Sequence, residues 1–438
     1  MTNLRQAIDR LIKSLLTVSP LPPQLSEPFC WSTNTDPLGW FHSQPLFPKF
    51  YWQSRDGKEQ VLAIGQVKTF SDPACAEHQL AKGQRIWGGR SFDGRTERNQ
   101  RCLKSFFFLP QIEIVCRDGQ WVITLNVCDD LLKVRATLSK LISQSQPLSH
   151  PDCEVLATQH QPEFEQWSTM MGDALSSIET TDLQKVVLAR KTTLELDRAL
   201  PAASLLKASL DSNKSNFHFL LALDEKHCFV GSTPERLFWR NGNELYTEAL
   251  AGTIGRSKDA EEDLSLATWL LNDSKNIYEN RLVVDDITQR LIPHSEQLDV
   301  EVTPHLVRLR NVQHLKRDIE ASLVADVPSS TLLDLLQPTA AVAGLPRERA
   351  VDFIVENEPF VRGWYSGSVG YLSPEQSEFC VAIRSALVVD NKVHLFAGAG
   401  IVPGSVPESE WKELDRKMAT LRNLLGPSQE KQLEKKAG

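Results

Sequence analysis

Residues 231–253, GSTPERLFWRNGNELYTEALAGT, restrict the fold of this chain more than any other stretch. Gly-Ser-Thr-Pro punctuates a run of apolar residues, HFLLAL and CFV. Arg-Asn-Gly-Asn then gives a tight turn, and Ala-Gly-Thr closes a second apolar run. Asn-Gly readily adopts the left-handed conformation that a short hairpin turn demands, so the segment reads as two antiparallel strands. Glu235 follows Pro234 at a strand end, where a carboxylate can face a pocket. It also reads as a surface partner of Arg236 or Arg240, and the stretch alone leaves both readings open.

Further turn signals extend the pattern. Arg-Asp-Gly at 55–57 and Arg-Asp-Gly-Gln at 117–120 separate strand-like runs. The first third is therefore expected to be an antiparallel sheet of hairpins with helices on one face. Seven prolines among aromatic residues at 20–55 indicate irregular chain and short strands feeding FYWQ. A charged helix is expected near 130–144. The segment 182–196, DLQKVVLARKTTLEL, fits a buried strand with charges at both ends. Lys185 on it is either drawn into a pocket, where desolvation favours the neutral amine, or snorkels to the surface.

Residues 259–291 read as one long helical region, with Glu279, Arg281, Asp285 and Asp286 around an apolar core and mostly solvated. The final third predicts three strands, 363–372, 379–389 and 393–405, and a helix at 407–425. AGAG at 397–400 lacks the G-x-G-x-x-G spacing of a dinucleotide site, and its glycines instead permit close backbone approach to a ligand. Glu410, Glu413 and Lys417 share one face of the last helix. That pattern suits a surface ion-pair array or, as a cavity wall, hard oxygen ligands for Mg²⁺.

Composition excludes several classes. Of 438 residues, 41% are hydrophobic and 24% charged, with a net charge of -8 and no Lys/Arg run, which argues against a nucleic-acid groove. Eight cysteines are scattered without metal-site spacing and are expected to be reduced, mostly buried thiols. The N-terminal stripe Leu4, Ile8, Leu11, Ile12, Leu15 and Leu16 is interrupted by charges, so it is an amphipathic helix and not a signal peptide. No apolar run reaches membrane-spanning length. The cytoplasm is the expected compartment.

The segments KVVLAR, GSTPERL, TEALAGT, SKNIYENRLVVDDI, QPTAAVAGLPR, GWYSGSVGY, VAIRSAL and AGAGIVPGSVPESEWKEL resemble, in order and spacing, the motif series of the chorismate-utilising enzymes. The resemblance covers roughly residues 80–425 and is greatest to the isochorismate synthases of the menaquinone type. It implies an α+β fold of two large antiparallel sheets in a sandwich with helices outside and the active site in the cleft between them. It also implies that residues 1–80 pack on a main body, 81–430, that is a single catalytic unit.

Carried over by position, the resemblance implies Lys185 as general base and Glu235 as general acid. Glu279 and Glu413 match Mg²⁺ ligands, with Glu410 close enough to share that role through water or substrate. Tyr365, Arg384 and the Gly398 backbone match positions that hold a substrate carboxylate, and Thr253 and Lys417 match further pocket positions. Ala251 stands where the amine-adding branch carries a lysine nucleophile, so water is the implied nucleophile and chorismate the implied substrate, with no glutaminase subunit. Gln337 departs from the histidine of many relatives, which places in doubt a second step that leans on an imidazole there.

Overall fold

The computed structural model describes residues 2–96, 103–128, 130–142, 145–325 and 327–426. All three turn signals form hairpins. Lys49–Gln53 pairs with Glu59–Phe70, Ser105–Arg117 with Gln120–Asn126, and Arg236–Asn241 with Glu244–Gly255. Asp118 and Gly119, at φ 49° and 78°, take the two left-handed positions of the second turn.

Among the described residues, twenty strands share one hydrogen-bonded network in which two long antiparallel sheets can be traced. The first runs from Val155–Gln161 through Lys185–Leu196, Lys392–Ile401, Ser385–Val389, His227–Thr233 and Phe217–Ala222. It continues through Lys49–Gln53, Glu59–Phe70, Ser105–Arg117 and Gln120–Asn126 to Gln24–Phe29. The second runs from Ile86–Arg90 through Ser368–Leu372, Gln376–Val381, Arg236–Asn241 and Glu244–Gly255 to Val312–Leu323. The two meet at Ser105–Arg117, whose first residues also pair with Ile86–Arg90.

Strand alternation explains the layers. Phe217, Phe219 and Leu221, with Phe50 and Trp52, meet Trp87, Val369 and Tyr371 of the second sheet. Their neighbours Leu220, Ala222 and Tyr51 point the other way, into the core that holds the N-terminal helix Leu4–Thr17. On the far side of the second sheet, Ala249, Ile319 and Ala321 pack against Val283, Ile287, Leu332 and Leu333 of two helices. Each large apolar side chain buried in these layers contributes roughly 1.5–3 kcal/mol, so three cores fix the sandwich. The expected fold class is the observed one.

Local differences are informative. The helical region at 259–291 is two helices, Ala260–Asn272 and Ser274–Leu291, because Asp273 leaves helical geometry and caps the second through Asn276 N. Of its charges Arg281 and Asp285 are exposed, while Asp286 is buried against Arg290. The run 379–389 is not one strand: Arg384 at φ 49° breaks it into Gln376–Val381 and Ser385–Val389. The helix expected near 130–144 spans Leu131–Lys140, and positions 143–144 lie outside the described residues. The cysteines are less buried than expected. Of the seven described cysteines only Cys153 and Cys380 are buried, and Cys102 lies outside the described residues. Among the described residues no helix is long and apolar enough to cross a membrane.

Candidate active site

The breaks and bulges in these strands converge on one cavity. It is lined by Glu235, Ala251, Thr253, Glu279, Tyr365, Arg384, Gly398 and Lys417 among others. Glu235 sits in the short gap between His227–Thr233 and Arg236–Asn241, where Pro234 interrupts the ladder. It is buried, not a surface residue: Arg236 pairs with Glu378, and Arg240 bonds Gly242 O and Ser329. Burial, and then the nearby Glu248 charge, push the Glu235 carboxyl up to about 8, against the opposing pull of Lys185, Lys417 and Arg384. Glu235 is therefore largely protonated at neutral pH.

A bulge builds the next part. In Glu244–Gly255 the register against Val312–Leu323 slips by one residue between Leu250 and Thr253, which turns Ala251 and Gly252 to the cavity. Thr253 Oγ1 lies 2.9 Å from His314 Nδ1, and His314 Nε2 lies 3.2 Å from Arg384 Nη2. A guanidinium only donates, so Nε2 accepts and Nδ1 carries the proton. Thr253 Oγ1 then accepts from His314, leaving its own hydroxyl hydrogen for a ligand. Burial, Arg384 and Lys417 hold the His314 pKa well below the ordinary value, consistent with this neutral tautomer. Burial also lowers the Arg384 pKa to about 10, against Glu413, Tyr365 and Glu235. Arg384 Nη1 is buried and has no hydrogen-bond partner among the described residues. An unsatisfied guanidinium nitrogen in a cavity wall is suited to an anionic oxygen.

Lys185 lies fully buried just behind this wall, so the surface reading does not hold. Its Nζ is 3.0 Å from Glu279 Oε1. The glycines of Lys392–Ile401 make room for the pair. A Cβ on Gly400 would lie 2.3 Å from Glu279 Oε1 and 3.0 Å from Lys185 Cε, and one on Gly398 would lie 2.9 Å from the Tyr365 hydroxyl. Tyr365 is stacked on Phe396 at 5.1 Å between ring centroids. Lys417 Nζ donates to Gly398 O at 2.7 Å and pairs with Glu413 at 2.7 Å.

Glu410 pairs with Lys275 at 2.8 Å. Three carboxylates, Glu279, Glu410 and Glu413, thus each face a lysine at this end of the cavity. Burial opposes the Glu279 charge, yet Lys185, Lys417 and Lys275 hold its carboxyl below the usual value. Burial and Glu413 push Glu410 up, against Lys275, and Glu279 adds to that repulsion. The set offers hard oxygen donors whose mutual repulsion a divalent cation would relieve, which fits Mg²⁺. The three do not form a tight cluster as they stand. Among the described residues, the group whose ligand atoms all lie within 4.8 Å of one another is Glu301, His305 and Asp318, a half-buried surface set elsewhere.

Of the expected site residues, Lys185, Glu410 and Glu413 are the three that do not line the cavity directly. Glu413 and Lys185 reach it through Lys417 and Glu279. His314, Glu248, Val187 and Phe396 escaped the sequence reading. His314 sits in VQHLKRD without any flanking signal, and its meaning depends on a partner 61 residues away. Gln337 bonds Ser91 O and Ser368 Oγ through its side chain and is not among the residues lining the cavity, whose imidazole is that of His314.

Comparison with known proteins identifies relatives of this chain. The family model for chorismate binding enzymes matches residues 29–426. The chain is similar to isochorismate synthase MenF of Escherichia coli, 40% identical over 97% of this chain and 99% of that protein. It is also similar to the salicylate biosynthesis isochorismate synthase of Pseudomonas aeruginosa, 33% identical over 96% and 91%. A solved structure of MenF, the menaquinone-specific isochorismate synthase from E. coli, superposes with a TM-score of 0.89 at 39% identity, covering 96% of this chain and 99% of that one. Anthranilate synthase component I from Streptococcus pneumoniae shares the fold at a TM-score of 0.67 and 23% identity. The chain belongs to the chorismate binding enzyme family.

Proposed function

We propose that this protein is an isochorismate synthase that converts chorismate to isochorismate for menaquinone formation, using Lys185 as base, Glu235 as acid and Mg²⁺ as cofactor. The observation that carries the chemistry is a buried carboxyl held protonated in the same cavity wall system as a buried lysine. Water adds at C2 of the ring while the double bonds shift and the C4 hydroxyl leaves. Lys185, acting as the neutral amine, removes a proton from the incoming water, and Glu235 delivers one to the departing oxygen. One water enters and one leaves, so substrate and product are isomers. After turnover Lys185 is protonated and Glu235 ionised, the states needed for the return reaction, and the exchange of one hydroxyl for another on a similar ring makes the conversion reversible.

Arg384, with its free Nη1, and Tyr365 beside the Gly398 backbone orient a substrate carboxylate, and the Thr253 hydroxyl donates to a ring substituent. Ala251 presents no amine, so ammonia and a glutaminase subunit have no part. Glu279 and Glu413, with Glu410 beside them, would hold the Mg²⁺, which supplies charge neutralisation for a bound carboxylate. The free thiols suit a reducing compartment, and we place the enzyme in the cytoplasm.

The test is to incubate purified protein with chorismate and Mg²⁺, with parallel samples containing EDTA or ammonium, and to identify products by chromatography. Isochorismate alone, lost with EDTA and unchanged by ammonium, supports the proposal. Salicylate with pyruvate, or an aminated ring, overturns it.

A further inference from the structure

A buried carboxylate and two partly buried cations that the reaction does not consume lie against the residues flanking the acid. Arg55, in the turn between Lys49–Gln53 and Glu59–Phe70, sends Nη1 to the Pro234 carbonyl at 2.8 Å and to Glu248 Oε1 at 2.6 Å. The same Glu248 oxygen accepts the Arg236 amide at 2.7 Å. Glu235 is thus bracketed: the residue before it is held by Arg55, the residue after it by Glu248. Lys316 Nζ completes the set at 3.2 Å from the other Glu248 oxygen.

The side chain of Glu248 is 1% exposed, and its two cations and one amide keep it ionised in spite of that burial. Its carboxylate is the anionic neighbour of Glu235. The other groups that face the acid are Lys185 and Lys417 from a strand and a helix, Arg384 from the strand break, and Tyr365 and Cys380.

We propose that Arg55 and Glu248 are positioning residues for the general acid, fixing the Pro234–Glu235 turn from both sides and setting the charge beside its carboxyl. This rests on the reading of Glu235 as the acid. It gives a segment near the N-terminus a part in catalysis without contact to substrate.

The two partners act with opposite sign, and that separates the proposal from a merely structural role. An acid must be protonated, so activity falls as pH rises through its pKa. Glu248→Gln removes the like charge and is expected to move the alkaline limb of the kcat/KM profile down by about one pH unit. Arg55→Gln leaves Glu248 less neutralised and moves the same limb up, with KM little changed in either variant. Thermal unfolding checks that each variant is folded; should Glu248→Gln fail to fold, Arg55→Gln decides, since the Arg55 side chain is 22% exposed. Limbs that stay at the wild-type pH in folded variants, while Glu235→Gln is inactive, overturn the proposal alone. A Glu235→Gln enzyme with wild-type turnover at every pH overturns the acid assignment and this proposal with it.

Discussion

Replacing Glu235 by Gln should make the protein more stable, and increasingly so as pH rises. Gln copies the shape of the protonated carboxyl and cannot ionise. In the folded chain burial and Glu248 raise the Glu235 pKa from 4.5 to about 8. The folded state therefore holds the proton where the unfolded chain has released it, so stability is full below pH 4.5 and declines until the pH passes about 8. With 1.36 kcal/mol per pH unit of separation, the wild type has lost roughly 2 kcal/mol at pH 6 and roughly 4 kcal/mol at pH 8 from this group. Glu235→Gln has lost none of it. Urea unfolding of both proteins at pH 6 and pH 8 should show the variant's advantage growing by about 2 kcal/mol between the two. A difference that is the same at both pH values would refute the claim that Glu235 is held protonated by its surroundings.

Other perturbations follow from the same geometry. Lys185→Ala should reduce kcat by about 10²-fold or more while the far-ultraviolet spectrum is unchanged; wild-type turnover would remove Lys185 as the base. Gly400→Ala places a Cβ 2.3 Å from Glu279 Oε1 and should lower both thermal stability, by about 1–3 kcal/mol, and Mg²⁺-dependent activity. Arg384→Ala should raise KM for chorismate by roughly 10–100-fold, the worth of a charged hydrogen bond of about 1.5–3 kcal/mol. An unchanged KM would mean that the free Nη1 does not meet the substrate.

How much the chain disclosed in advance depended on the range of the interaction. Turns are local, so Asp118-Gly119 and Asn241-Gly242 announced their hairpins, and the alternation of Phe217, Phe219 and Leu221 with Leu220 and Ala222 follows from strand geometry. The break at Arg384 was hidden, because AIRS carries no Gly or Pro and the left-handed residue is imposed by its surroundings. Lys185 and Glu235 were visible as candidates, yet neither could be told from a surface charge until burial and partners were known. Glu248 and His314 were invisible for the same reason in stronger form. Their roles come from Arg55, Lys316, Thr253 and Arg384, which the fold gathers from across the chain. Gln337 shows the converse, a residue that looked diagnostic in a motif and whose side chain is spent on Ser91 and Ser368.

In the proposed reaction water, activated on one side of the ring, enters at C2 while the C4 hydroxyl departs with a proton from Glu235. Turnover of chorismate in H₂¹⁸O, followed by mass analysis of the isolated isochorismate, tests it most directly. The product should carry one solvent oxygen at C2, with label also appearing in recovered chorismate as the reaction reverses. Isochorismate formed with no solvent oxygen would mean that the hydroxyl migrates within the molecule, and the assignment of Lys185 and Glu235 as a separate base and acid would be contradicted.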